Sequence, residues 1–587
     1  MNFETSRRAW MIRLTALGFG SVAFQKALAH KASEAGSITA QMINDAQWIA
    51  DIELTEKEKE TLAKQIQDQS ENERKLRAMN IDADTGPAMA FVPYFFAENL
   101  PEDLKLKDAA VKPAVVASSS DISWSTLAKA RQADIVDWQD ETSVAASGIV
   151  EQAAALRSGK ITSQRLTELY LGRLKRYDPV LRCVVTLTEE LAMQQAKRAD
   201  NELKQGNDRG LLHGIPWGAK DIIAVPPFPT TWGAKPYRET VRPNLATVAR
   251  RLNDAGAVML GKLSVGTLAM GDIWHEATTK NPWNIEQGSS GSSAGSCSAV
   301  AAGLCTFALG TETLGSIVSP ARRCRVMGLR PSFGRVSRYG CMTLAWSMDK
   351  VGPIARYAVD CGIVLNAIQG TDGMDPTVAD RPLGWSSQFD ITKLRVGYVS
   401  SPLSDSERLV FEKLESDGAK MVPIEFPQNI PQQALMVGLD VESAAMHDPL
   451  FRTAESDSDM GLWGSSFRKS QFARGIHYIQ SMRARTLLIQ ETERVLRDVD
   501  VLLGSDDLVR TNLTGHPSMV VRFGSQELTN PRRDQQESDK TKPIVIAPRV
   551  FKLTSKYFGE AMLIAVADYV ERQMPPKPVL PEVIRML

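Results

Sequence analysis

A stretch made almost entirely of glycine and serine interrupts sequence that is otherwise apolar. Residues 288–298 contain only Gly, Ser, Ala and one Cys, and they lie between Trp283 and the apolar run from Val300 to Leu309. A flexible linker of this composition rarely occurs inside continuous core sequence. The stretch therefore predicts a tight loop whose backbone passes close to a ligand and whose hydroxyl groups are available for chemistry.

A second segment offers consecutive backbone N–H groups. Directly after the strand-like residues 307–309, the chain reads Gly-Thr-Glu-Thr-Leu-Gly-Ser from Gly310 to Ser316. Amides at a turn that follows a strand can form an anion-binding nest or an oxyanion hole. Paired with the serine-rich loop, this segment predicts a site that stabilises an oxyanion.

A lysine lies in unusually apolar sequence about seventy residues before the serine-rich loop. Lys220 follows Gly-Ile-Pro-Trp-Gly-Ala and precedes Asp221. Desolvation disfavours an ammonium group and lowers its pKa, so a neutral amine can act as a base near pH 7. A base, serine hydroxyls and a run of amides are the parts needed to break an amide bond without a metal or a histidine.

The serine-rich loop also contains a G-x-S-x-G pattern, from Gly291 to Gly295, with Ser293 at its centre. In α/β-hydrolases this pattern forms a nucleophile elbow, which requires an apolar strand directly before it. Residues 281–287 are instead a polar loop. A triad would also need a histidine, but none of the six lies in a sequence context that indicates catalysis, so all six are interpreted as structural. An esterase that uses Ser293 is accordingly kept as a second alternative.

Short apolar runs alternate with helical patterns after about residue 210. This alternation predicts an α/β fold with a largely parallel sheet. The predicted strands are 257–260, 307–309, 394–399 and 499–503.

The lysine segment and the two serine segments together resemble the amidase signature family, which includes bacterial amidases, fatty acid amide hydrolase and the A subunit of glutamyl-tRNA amidotransferase. The resemblance covers about Ala146 to Pro576 and is strongest over residues 280–377, including Gly328–Ser337 and Gly370–Thr377. It implies a large mixed, mostly parallel sheet covered by helices on both faces. It also implies hydrolysis of an amide through an acyl-enzyme, with no metal or organic cofactor.

The resemblance implies a role for each matching residue. Lys220 falls on the family's base, Ser292 on its relay serine, whose peptide bond is cis in the family, and Ser316 on its nucleophile. The remaining matches are the oxyanion amides of Thr313, Leu314, Gly315 and Ser316, and the supporting residues Asp221 and Ser293.

The chain departs from the family's pattern at two positions of the second segment. Leu314 replaces a glycine, so the oxyanion amides survive only if φ at this residue suits an ordinary side chain. Val318 replaces an arginine, which removes a cation that could bind a ligand carboxylate there; Arg322 or Arg323 could compensate.

The N-terminal region predicts export. Paired arginines at Arg7 and Arg8, an apolar run over 14–24 and Ala27-Leu28-Ala29 resemble a twin-arginine signal peptide over residues 1–29. A helical extension and linker, with a capping box at Thr55-Glu56-Lys57-Glu58, is expected over 30–145, and the amidase domain over 146–587. The expected location is the periplasm or another exported site, with the cytoplasm as the alternative.

The composition restricts the kinds of binding partner that we expect for the protein. Lys plus Arg equals Asp plus Glu, at 69 each, so no global charge steers the chain to nucleic acid or to an anionic membrane. The six cysteines show no C-x-x-C spacing and are interpreted as core residues. The expected partner is a small-molecule amide substrate, with no nucleic acid, no stable membrane insertion after signal cleavage, and a possible homodimer.

Besides a free-standing exported amidase and the esterase alternative, two further functions stay open at this point. The first is a glutaminase of the amidotransferase A-subunit type, which releases ammonia for a partner that modifies tRNA. The second is a non-catalytic binding protein on the same fold, against which the complete set of one lysine and two serines argues.

Overall fold

The computed structural model describes residues 37–79, 136–384, 389–399, 402–454, 456–504, 507–528, 545–577 and 579–581. The strands are β1 (Val184–Leu187), β2 (Pro216–Lys220), β3 (Val258–Leu263), β4 (Lys280–Asn281), β5 (Asn284–Gly288), β6 (Phe307–Glu312), β7 (Met327–Arg330), β8 (Lys350–Ala355), β9 (Arg395–Val399), β10 (Lys420–Ile424), β11 (Val501–Leu503), β12 (Ser518–Leu528) and β13 (Val545–Thr554).

Helices surround these strands. They are α1 (Ala40–Ala46), α2 (Glu56–Ala78), α3 (Glu141–Ala146), α4 (Ile149–Arg157), α5 (Ser163–Leu181), α6 (Glu189–Lys204), α7 (Thr247–Asp254), α8 (Ala294–Ala301), α9 (Val318–Cys324), α10 (Ala358–Ile368), α11 (Asp405–Ser416), α12 (Gln432–Leu435), α13 (Val437–Thr453), α14 (Asp457–Met460), α15 (Gly464–Ser470), α16 (Gly475–Leu496), α17 (Leu508–Thr514) and α18 (Glu560–Gln573). Single 3₁₀ turns occur at Lys235–Tyr237, Thr267–Ala269, Ile391–Lys393 and Gly461–Trp463.

One sheet organises the molecule. It has the order β1-β3-β2-β6-β8-β7-β12-β13-β11-β9-β10, while β4 and β5 form a separate pair. Every residue of β2, β3, β6, β7 and β8 is buried, which requires cover on both faces of the sheet. The large mixed sheet with helices on both faces is therefore confirmed.

The strand directions correct one part of the expected fold. Parallel pairing joins β2 to β3 and β6, and β9 to β10 and β11. The other neighbouring strands pair antiparallel, so the sheet is not mostly parallel. The predicted strands are the ones that lie in or beside parallel pairs. Of the antiparallel strands, β12 and β13 carry charged residues at interior positions, at Arg522, Arg549 and Lys552, which interrupt the apolar runs on which the prediction relied.

The N-terminal helices pack onto helices from the second half of the chain. Thr55 caps α2, and its side chain and that of Glu58 bond reciprocally to backbone N–H groups, which confirms the predicted capping box. Near the other end of α2, Glu73 forms an ion pair with Arg474 and contacts the ring of His477. The described part of the extension is thus helical and is attached to the body by buried charge as well as by apolar contacts.

Several predicted features lie outside the described residues. These are the signal peptide over 1–29 and, within the extension and linker over 30–145, residues 30–36 and 80–135. Within the described ranges, no helix combines the length and the apolar character that a membrane crossing requires.

Candidate active site

The lysine and the two serine segments meet at one edge of the sheet. Lys220 is the last residue of β2, and the segment that contains Ser316 follows β6. Because β2 and β6 are parallel neighbours, their carboxyl ends lie side by side. The serine-rich loop leads into α8, which packs against both strands, and it places Ser292 at the same edge.

The amine of Lys220 is enclosed by hydroxyl and carbonyl oxygens. Its Nζ lies 2.8 Å from Ser292 Oγ and 2.8 Å from Thr311 Oγ1. Ser293 Oγ at 3.1 Å and the carbonyl oxygen of Thr311 at 3.2 Å complete the contacts. None of these four partners carries a charge, so the surroundings suit a neutral amine as well as they suit an ammonium group.

Burial determines the protonation state of this amine. The Lys220 side chain has no solvent exposure. Desolvation lowers its pKa from 10.5 to about 7, and the more distant Asp349 and Glu312 only partly oppose this effect. A substantial fraction of Lys220 is therefore uncharged at neutral pH.

The adjacent carboxylate does not restore the charge on Lys220, because it pairs with another lysine. Asp221 Oδ1 lies 2.7 Å from Nζ of the buried Lys262. Its other oxygen accepts the backbone N–H and the hydroxyl of Thr231. Asp221 thus holds residues 229–232 against the sheet. This contact gives a structural basis for the supporting role that the sequence predicts for Asp221.

The serine-rich loop has a constrained backbone at the predicted relay residue. The peptide bond between Gly291 and Ser292 is cis, as the resemblance led us to expect. A Cβ at Gly291 would lie 1.8 Å from the carbonyl oxygen of Gly271, so no other residue fits there. Ser292 is 1% exposed and Lys220 has no exposure, so the contact between the two side chains is shielded from solvent.

Backbone and side-chain bonds join the two serine segments. The N–H of Ser293 donates to the carbonyl oxygen of Ser316 at 3.0 Å. Ser293 Oγ donates to the Thr311 carbonyl at 3.1 Å and accepts the Thr311 N–H at 3.2 Å. Ser293 is fully buried, which argues against the elbow hypothesis because an attacking hydroxyl must be reachable. Ser316 keeps 8% exposure and is the more accessible hydroxyl.

The turn before Ser316 accommodates the leucine that replaces a family glycine. Gly315 has φ of +84° and is the residue that needs the left-handed conformation. Leu314 is not among the described residues with positive φ, and its side chain packs against an apolar cluster that includes Ile222 and Leu344. The substitution therefore leaves the run of N–H groups from Thr313 to Ser316 intact.

A buried carboxylate fastens this turn. Glu312 Oε2 accepts the N–H groups of Ile317 at 2.8 Å and Val318 at 2.9 Å, while Oε1 accepts from Arg330 at 2.7 Å and Asn512 at 2.8 Å. Burial raises the pKa of Glu312, but the nearby cations Arg330 and Lys350 outweigh burial and lower it to about 2. Glu312 stays ionised and ties both sides of the 313–316 turn to β7 and α17.

A second carboxylate lies behind the first oxyanion residue. Asp349 Oδ1 accepts the hydroxyl of Thr313 at 2.5 Å, and Oδ2 accepts the N–H groups of Leu344 and Ala345. Lys350 Nζ bonds Asn512 Oδ1 at 2.9 Å. These contacts place a second layer of polar groups around the turn.

Sequence reasoning identified the candidate reacting groups and missed most of the groups that hold them. Thr311 and Glu312 lie inside the quoted second segment, and Arg330 inside the quoted Gly328–Ser337 motif, yet no role was assigned to them. Asn512 lies two hundred residues beyond Glu312, and no local pattern marks it. The six cysteines are free, and all but the half-buried Cys341 are buried, in agreement with a core role.

A cavity in the described part of the chain does not contain the candidate reacting groups. It has a volume of about 800 Å³, and its lining includes Trp346, Tyr478 and Tyr557. Lys220, Ser292 and Ser316 are not among the described residues that line it. Its charged groups already have partners within the wall, for example Arg338 with Asp375 at 2.8 Å.

Comparison with known proteins agrees with this geometry. The A subunit of the glutamyl-tRNA(Gln) amidotransferase of Roseiflexus sp. (strain RS-1) is 34% identical over 430 residues, which span 63% of this chain and 88% of that protein. A peptide amidase structure from Stenotrophomonas maltophilia superposes with a TM-score of 0.61 at 28% identity, over 73% of this chain and 96% of the other. A bacterial aryl acylamidase structure, 19% identical with a TM-score of 0.61, shares the fold over 73% of this chain and 96% of its own.

A family model described as Amidase matches residues 165–506, which is more than half of the chain and includes Lys220, Ser292 and Ser316. The chain therefore belongs to the amidase family and is an enzyme that acts on carboxylic amide C–N bonds.

Proposed function

We propose that this enzyme hydrolyses its amide substrate with Ser316 as nucleophile, Ser292 as proton relay and Lys220 as base. The observation that supports this assignment best is the buried Lys220 amine, whose pKa is lowered to about 7 and whose Nζ lies 2.8 Å from Ser292 Oγ. A neutral amine hydrogen-bonded to a serine hydroxyl can accept its proton without a histidine or a metal.

The proposed reaction proceeds in two halves. Lys220 takes the proton of Ser292, Ser292 takes the proton of Ser316, and Ser316 Oγ attacks the amide carbonyl carbon. Backbone N–H groups of residues 313–316 stabilise the oxyanion. The relay then protonates the leaving nitrogen as the C–N bond breaks, and water hydrolyses the acyl-enzyme by the same route in reverse.

A glutaminase of the amidotransferase A-subunit type is the second candidate, because the curated relative quoted above carries that name. That activity would deliver ammonia to a partner protein. The N-terminal extension and the predicted export signal over residues 1–29 argue against it. Hydrolysis of a panel of simple amides without any partner, together with no release of ammonia from free glutamine, would separate the two.

Substitution of the proposed nucleophile tests the assignment. Ser316→Ala should lower kcat/KM at least ~10³-fold, because the covalent route is lost. Labelling by a fluorophosphonate probe, located by peptide mass spectrometry, should disappear in the same variant. Ser319→Ala, three residues further along the same segment, should keep both activity and labelling. An active Ser316→Ala enzyme would refute the mechanism.

The acidity of the buried amine predicts the pH profile. Since only the neutral amine accepts a proton, kcat/KM should fall as pH drops below about 7 and reach a plateau above it. A steady-state profile between pH 5 and 9 measures this limb. Lys220→Met should be at least ~10³-fold slower. If its residual activity shows the same limb, Lys220 is not the group that titrates.

Glu312 is a positioning residue in this proposal, and its charge is open to test. Glu312→Gln leaves Arg330 buried without its anion, which should cost about 3–5 kcal/mol of unfolding free energy. It should also slow fluorophosphonate labelling of Ser316, because the turn is no longer fastened. Denaturant unfolding and the labelling rate measure the two effects. Glu239→Gln, at an exposed ion pair, is the matched control; equal stability of both variants would contradict the argument.

We further propose that the enzyme is exported through the twin-arginine route, on the basis of the sequence over residues 1–29. Replacement of Arg7 and Arg8 by lysine in the full chain should move the protein from the periplasmic to the cytoplasmic fraction of a bacterial host. A cytoplasmic marker and a periplasmic marker control the fractionation. Unchanged partition would refute the export signal.

A further inference from the structure

The cavity of about 800 Å³ has an aromatic lining and opens to solvent. Two large apolar side chains of its lining, Trp346 and Met374, are 47% and 50% exposed. Further rings of the lining belong to Phe333, Tyr478 and Tyr557. Single exposed apolar residues are common on protein surfaces, whereas here two of them border one concave volume. A concave volume of this size with many aromatic side chains is typical of a small-molecule site.

One wall of the cavity separates it from the proposed reacting groups. Cys341 and Thr343 line the cavity. Met342 and Leu344, which alternate with them along the chain, are buried in the apolar cluster against which Leu314 of the oxyanion turn packs. Successive side chains of extended backbone point to opposite sides. The cavity and the oxyanion turn therefore lie on opposite sides of the same segment.

The charged side chains of the cavity wall are paired with groups of that wall. Among the described lining residues they are two arginines and two carboxylates, so their charges balance. Arg338 Nε lies 2.8 Å from Asp375 Oδ2. Arg485 donates to the hydroxyl of Ser347 at 2.7 Å and to its carbonyl oxygen at 2.6 Å. Glu442 accepts the N–H of Ser347 at 2.8 Å and its hydroxyl at 2.7 Å. An ionic ligand would lose its hydration here without gaining a free counter-ion, so the wall favours an uncharged one.

Neutral hydroxyl groups accompany the aromatic rings. The lining includes Tyr339, Thr343 and Tyr557. Burial raises the pKa of Tyr557 to about 12, so its hydroxyl stays protonated at neutral pH. Hydroxyl groups can both donate and accept hydrogen bonds, and aromatic rings pack well against other flat rings. These groups suit a flat aromatic ligand that carries a hydroxyl or carbonyl group of its own.

We propose that this cavity is a second binding site, separate from the proposed reacting groups, for an uncharged aromatic molecule that carries a hydroxyl or carbonyl group. Trp346 packs against the ligand ring at the mouth of the cavity, and the hydroxyl-bearing residues of the wall bind its polar group. This site does not depend on the mechanism proposed for Ser316, because none of its residues takes part in the proton relay.

A pair of ligands of similar shape tests the preference for an uncharged molecule. 2-Naphthol, which is neutral at pH 7, and 2-naphthoate, which is an anion, are titrated into the full chain by isothermal titration calorimetry. 2-Naphthol should bind at least ~10-fold more tightly, because the anion finds no free cation in the wall. No measurable binding of 2-naphthol, or tighter binding of 2-naphthoate, would overturn the proposal.

Two substitutions locate the binding in the cavity. Trp346→Ala should weaken binding of 2-naphthol at least ~10-fold, because the ligand ring loses its aromatic contact at the mouth. Trp48→Ala is the matched control, since Trp48 is 48% exposed and is not among the residues that line the cavity. Thr343→Phe should abolish binding by filling the cavity from its wall. Equal affinity of wild type and Trp346→Ala, with both variants folded by circular dichroism, would place the ligand elsewhere and overturn the site.

Blocking the reacting groups separates this site from the mechanism. Enzyme labelled at Ser316 by the fluorophosphonate probe should bind 2-naphthol with a Kd within about twofold of that of untreated enzyme. Loss of binding on labelling would show that the cavity belongs to the substrate site and would overturn the proposal. If Ser316 neither labels nor supports hydrolysis, the mechanism fails, whereas binding that requires Trp346 leaves the second site standing.

Discussion

The desolvation of one lysine is the constraint on which the rest of the site depends. An ammonium group taken out of water costs several kcal/mol unless an anion compensates it. At Lys220 the contacting partners are neutral oxygens, and the nearest carboxylate in sequence, Asp221, is committed to Lys262 at 2.7 Å. In the proposed mechanism, the pairing of Lys262 with Asp221 offsets an anion that would otherwise raise the pKa of Lys220.

The same logic separates the site into charged and uncharged parts. Glu312 accepts hydrogen bonds from Arg330 and Asn512. It remains ionised because the nearby cations lower its pKa more than burial raises it. That charge lies behind the nucleophile segment and bonds the N–H groups of Ile317 and Val318, so the N–H groups of residues 313–316 stay available for an oxyanion. The charged Glu312 and Arg330 fix the backbone of the turn, whereas uncharged groups surround the Lys220 amine that accepts a proton in the proposed mechanism.

How much of this structure the sequence predicts depends on how far apart along the chain the interacting residues lie. The apolar strands and the capping box at Thr55 are local patterns, and both were predictable. The convergence of Lys220 with the two serine segments was predictable only through resemblance, since about seventy residues separate the lysine from the first segment and about ninety from the second. Strand direction was not predictable for β12 and β13, because their pairing depends on contacts with β7 and β11 rather than on their own composition.

Histidine shows how a local interpretation can be incomplete. All six histidines were interpreted as structural, and His516 fits that view through its bonds to Thr514 and Glu493. His447 is 1% exposed and packs between the rings of Trp232 and Phe467, which fits that view as well. Neither of its ring nitrogens has a hydrogen-bond partner among the described residues, and nothing in its sequence context predicts this.

The valine at position 318 can be understood through the same distribution of charge. In the family pattern an arginine stands there, directly after the nucleophile segment. Here Arg330 already compensates Glu312, so the buried carboxylate needs no second cation from that position. What changes is the charge offered to a ligand. Val318 is buried at the start of α9, so this position offers a ligand no charge.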